Sequence, residues 1–67
     1  MEGAMPIFNA TILNENGNTS IRFDDFSNTI LFPIHKIPEQ FHGHETTIYL
    51  TIPTPWYSSE WKFSLRD

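Results

Sequence analysis

Three histidines and a carboxylate crowd into eleven residues of this chain: His35, His42, His44 and Glu45. His42 and His44 are two apart, so on an extended backbone both rings project to the same side, close enough to share a metal ion. Imidazole nitrogen suits Zn, Ni or Cu, and His35 or Glu45 could complete the shell. A structural metal would also help so short a chain to fold. His-x-His alone is a weak motif, however, and the spacing matches no standard zinc module. A solvent-exposed polar loop is the plainer expectation. Clustered histidines also repel one another once protonated at about pH 6, which gives the segment a second functional reading as a pH sensor.

The second group is aromatic. Trp56 and Tyr57 lie in a connector that contains Pro53 and Pro55, and Trp61 follows a few residues later. Trp61 alternates with apolar neighbours and reads as core. Burying both Trp56 and Tyr57 from a short proline-flanked loop is harder. They either fold back to cap an open end of the domain or stand out as anchors for a partner.

Asp24 and Asp25 are the third group. Adjacent carboxylates can bind Ca²⁺ or share acid–base work. No further acidic residue follows at calcium-loop spacing, so a plain turn is expected, with Glu15 as a further contributor to an acidic rim. Nucleophilic catalysis has nothing to stand on. The chain has no cysteine, no serine in a nucleophile-elbow sequence, and only three isolated glycines, so it carries no phosphate-cradling loop either. The expectation is that it is not an enzyme.

These groups must be held by a very small scaffold. Sixty-seven residues make one domain, and at this size only about 60% of the unfolded chain's surface is buried on folding. No disulfide can help. Six Phe, two Tyr and two Trp supply large burial per residue, and the 18% charged content is not that of a disordered chain. Residues 1–5 are expected to be disordered or tag-derived, and residues 6–67 to form a single β domain. The opening residues show neither a basic n-region nor an apolar h-region, and no apolar stretch approaches the ~20 residues of a membrane span. With no cysteine in the chain, a cytoplasmic setting is expected.

The net charge is −4. That disfavours direct binding to nucleic-acid phosphates or anionic membranes and suits a partner with a basic surface.

Hydrophobic periodicity gives the class. Apolar and polar residues alternate with period two over residues 6–13, 19–23, 46–52 and 60–65, the mark of half-buried strands, and residues 29–32 add a short apolar strand. Phe8, Ala10 and Ile12 should face inward, as should Ile21 and Phe23, Ile48, Leu50 and Ile52, and Trp61, Phe63 and Leu65. Asn16-Gly17 is the strongest hairpin signal, since both residues tolerate positive φ. The apolar run ending at Phe32 suggests a third strand covered in part on both faces and stopped by Pro33, short or at an edge. A single helical turn is expected near residues 38–41, with Pro38 at its first position.

The fold class is therefore all-β: a small five-stranded antiparallel barrel or roll, SH3-like by element count, with an oligonucleotide-binding-type barrel as the alternative. The function expected is that of a non-enzymatic protein-binding module that occupies a partner's surface. Trp56 and Tyr57 would be its anchors, and Asp24, Asp25 and Glu15 its acidic rim. Composition also permits a small phage-type inhibitor of a basic host protein. The alternative function is a metal-binding β domain that uses the segment from His35 to Glu45, with Zn or Ni on His42, His44 and His35. A homodimer is plausible through the edge next to Pro33 or the Thr-rich faces.

Overall fold

The computed structural model describes residues 6–66; the segment 1–5, expected to be disordered or tag-derived, lies outside the described residues. Five strands form one antiparallel sheet: β1 (Ile7–Glu15), β2 (Asn18–Phe23), β3 (Asn28–Leu31), β4 (Glu45–Thr51) and β5 (Lys62–Leu65). Their order across the sheet is β3-β2-β1-β4-β5. Strands β1 to β3 follow one another by hairpins, and β4 returns through a long connection to lie beside β1, which is the Greek-key pattern.

The first hairpin forms where the Asn-Gly pair demands it. Asn16 has φ 53° and Gly17 φ 79°, the left-handed pair whose twist matches that of the flanking strands. With the loop reduced to these two residues, Glu15 pairs with Asn18 and Ile12 with Ile21. On its other side β1 pairs Ala10 with Ile48 and Phe8 with Leu50. This register puts every even-numbered residue of β1 on the face that carries Ile21, Ile48 and Leu50. Ala10, Ile12, Ile21, Ile48 and Leu50 are all fully buried.

What covers that face is the connection between β3 and β4. It makes two 3₁₀ turns, Ile34–Lys36 and Glu39–Phe41, and delivers Ile37 and Phe41 to the core, Phe41 with no exposed surface. Full burial of a side chain like this stabilises the fold by about 1.5–3 kcal/mol. Pro38 stands just before the second turn as its cap rather than at its first position.

The sheet does not close into a barrel; what is observed is an open five-stranded antiparallel sheet with three 3₁₀ turns. β3 ends after four residues, and Pro33, at a position that turns toward the free edge, offers no N–H there to a further strand. Aromatic rings fill the open side instead. Phe32 stacks on Trp61 with centroids 5.2 Å apart and meets Phe63 at 6.0 Å, and Phe41 meets Phe63 at 6.0 Å. Trp61 precedes β5 rather than belonging to it.

Two further expectations are corrected. Leu31, read as covered, is 83% exposed, because β3 is an edge strand and residue 31 points to the outer face. That outer face is not uniformly wet either. Thr11 is 1% exposed and lies under an ion pair between Asp24 and Arg66.

Candidate functional site

The β4–β5 loop is built to hold two aromatic rings out in solvent. Pro53 and Pro55 each restrict φ. The Thr54 carbonyl accepts two hydrogen bonds, from the Tyr57 amide and from the Trp61 indole Nε1, each 3.2 Å long. A third 3₁₀ turn, Ser58–Glu60, closes with Glu60 and Trp61 amides donating to the Tyr57 and Ser58 carbonyls. Lys36 Nζ reaches across from the β3–β4 connection to Ser58 Oγ at 3.2 Å. Trp61 itself is anchored by its stack on Phe32. Held this way, Trp56 is 79% exposed and Tyr57 59%. Of the two roles open to these rings, capping the domain and facing outward, the geometry has them facing outward.

The acidic residues do not gather around this loop as one rim. Asp24 is engaged: Oδ2 accepts from Arg66 at 2.8 Å and Oδ1 from the Thr11 hydroxyl at 3.3 Å. Asp25 is exposed in the same β2–β3 turn. Glu15 sits at the far end of β1, six residues from Asn9, whose carbonyl takes the Asp24 amide. Six strand residues span roughly 20 Å.

The histidine segment is likewise dispersed. His35 is exposed in the first 3₁₀ turn. His42 has φ −86° and ψ 13°, so the backbone there is not extended and His42 and His44 are not set side by side as an extended chain would set them. The His42 ring is also occupied. Nε2 lies 2.7 Å from the Ile37 carbonyl; a carbonyl can only accept, so that nitrogen carries the proton. The bond pins the segment that buries Ile37 and Phe41. His44 stands at the opposite side of a small network in which Asn14 holds the Gly43 and His44 carbonyls and accepts from the Thr19 hydroxyl. Among the described residues no group of three or more His, Cys, Asp or Glu side chains is placed to hold a metal ion.

Several exposed apolar residues were not singled out in the sequence. Phe26 is 57% exposed, Ile34 42% and Leu31 83%. Leu31 and Ile34 line an open groove of about 400 Å³ beside the Asn16-Gly17 turn. Phe26 and Ile34 flank β3, one at each end. For Leu31 the missing signal was strand order, since β3 lies at the edge of the sheet.

Comparison of the chain with protein-family models, with curated proteins and with solved structures finds no match.

Proposed function

We propose that this chain is a non-enzymatic protein-binding module that acts by occupying a partner's surface, with Trp56 and Tyr57 as its anchors. The observation that carries this reading is the exposure of both rings on a loop pinned by two bonds to one carbonyl. Large amphipathic rings on a rigid support lose little conformational freedom on binding, which is why Trp and Tyr dominate interface hot spots. Of the two barrel types expected, the Greek-key strand order supports the oligonucleotide-binding type, a partly open five-stranded barrel whose β1–β2 and β4–β5 loops carry ligands. Trp56 and Tyr57 occupy the second of these loops. The net charge of −4 argues for a basic protein partner rather than a nucleic acid. A small inhibitor of phage type is one form such a module takes.

The test compares Trp56→Ala/Tyr57→Ala with the parent chain, using whichever partner the parent captures. Loss of two anchors should weaken binding at least ~30-fold while the unfolding midpoint stays in place. Unchanged binding would remove the loop from the interface. Salt-sensitive binding to an oligothymidylate of about 20 nucleotides would replace the protein reading with a nucleic-acid one.

A further inference from the structure

The edge of β3 carries a pattern that suits only certain occupants. Phe32 donates to the Thr19 carbonyl at 3.0 Å, and Ile21 pairs with Ile30 and Phe23 with Asn28. In an antiparallel ladder, alternate residues of an edge strand turn their N–H and C=O toward the neighbour. Asn28, Ile30 and Phe32 therefore face β2, and the backbone groups of Thr29 and Leu31 point away from the sheet. Edge strands are commonly protected by charge, a bulge or a covering loop. β3 has no charged residue between Asn28 and Leu31, and its defences are its four-residue length and Pro33.

This edge is self-complementary. Lay a second copy antiparallel against it with Ile30 on the two-fold axis. Thr29 of each copy then exchanges both backbone bonds with Leu31 of the other, giving four bonds in all. On the outer face the bare Leu31 side chain lies opposite Thr29 of the second copy. The flanks match as well. The β2–β3 turn, with Phe26 and Asp25, precedes the strand, and Ile34, His35 and Lys36 follow it. Antiparallel pairing brings the start of one strand to the end of the other, so Phe26 and Asp25 of one copy come to the same end of the seam as Ile34, His35 and Lys36 of the second copy, at both ends. Among the described residues Lys36 Nζ makes an exposed bond to Ser58 Oγ, which an incoming carboxylate can displace.

We infer that β3 is a homodimerisation edge, on which a second copy of this chain adds antiparallel to form a continuous ten-stranded sheet, with Asp25 and Lys36 as its charge pair. A four-residue edge and its flanks make a small interface, so the dimer is weak and dissociates with dilution. The inference does not depend on the Trp56–Tyr57 reading, which concerns another loop.

The experiment is sedimentation velocity on the full chain from about 5 μM to about 500 μM, a range that spans the affinity of a small interface. The expected result is a reversible monomer–dimer equilibrium. Leu31→Lys, an edge charge of the kind that blocks strand addition, should weaken it at least tenfold without changing the circular dichroism spectrum. Asp25→Lys and Lys36→Glu should each weaken it about three- to tenfold, and the two together should restore it. Trp56→Ala should leave it unchanged. A monomer at every concentration would overturn the inference and leave the edge to a foreign strand. A dimer that survives Leu31→Lys, or a charge swap that restores nothing, would overturn it too.

Discussion

Arg66 meets Asp24 at 2.8 Å and joins the chain after β5 to the turn after β2, across the two strands that separate them. Both side chains are less than one-third exposed, and beneath them the Thr11 hydroxyl, buried on a face expected to be wet, donates to the same carboxylate. The pair thus covers the centre of the outer face. Removing Arg66 costs an ion pair that solvent partly screens, about 0.5–1 kcal/mol for Arg66→Ala. Asp24→Asn keeps an acceptor for Thr11 and should cost the same. Asp24→Ala leaves the buried hydroxyl unpaired and should cost more, about 1–2 kcal/mol. Urea titrations of the three variants check the ranking. The cost of Arg66→Ala should shrink at ~1 M salt, where charges are screened within about 3 Å.

Phe41 should be the least replaceable side chain in the connection. It is fully buried and touches Phe63 across the open side of the sheet. Phe→Ala in a core costs about 3–5 kcal/mol. At roughly 0.05–0.15 kcal/mol per residue, a domain of this size has about 3–10 kcal/mol in total, so the substitution removes a large share of it. Phe41→Ala should therefore be largely unfolded at room temperature by circular dichroism, and Phe41→Leu folded with a lowered midpoint. A Phe41→Ala variant with an unchanged midpoint would show that the connection does not cap the core.

These two cases mark what the residues disclose by themselves. Ala10, Ile12, Ile21, Ile48 and Leu50 were legible as core because a strand has period two and one buried face. Asn16-Gly17 was legible as a turn because its φ requirement is local. Ile37 and Phe41 were not, because the 3₁₀ turns that deliver them have no sustained period and lie among histidines and prolines that read as loop. The Asp24–Arg66 pair spans 42 positions and appears only once β2 and β5 are placed. Leu31 was misread because an apolar run looks the same in a covered strand and at an edge. Trp56 and Tyr57 were visible as candidates because prolines around large rings limit how far they can fold back. Their rigid support was invisible, since it rests on the Thr54 carbonyl.

The histidine segment should respond to substitution but not to metal. His42 donates to the Ile37 carbonyl at 2.7 Å, and zinc at that nitrogen would have to displace the proton and the bond. His42→Ala should cost about 1 kcal/mol through the lost bond. Adding Zn²⁺ or Ni²⁺ to tag-free protein should leave the thermal midpoint of the parent chain where it was. A rise of several degrees, lost in His42→Ala, would restore the metal-binding reading.

Thr54 separates the roles of backbone and side chain in the contact loop. Its carbonyl takes the bonds from Tyr57 and Trp61, whereas its hydroxyl is buried without a protein partner among the described residues. An unpaired buried hydroxyl destabilises by about 1–3 kcal/mol. Thr54→Val keeps the shape, the β-branch and the carbonyl and removes only that group. The variant should match or exceed the parent in stability, by up to about 1 kcal/mol, since an isosteric apolar replacement removes the desolvation penalty. Trp61 fluorescence should stay in place, because its indole bond goes to the backbone, and partner binding through Trp56 and Tyr57 should be retained. A destabilised Thr54→Val with red-shifted Trp61 emission would mean that the hydroxyl is satisfied by a bound water that helps hold the loop, and the rigidity that presents the two rings would then rest on solvent as well as on the Thr54 carbonyl.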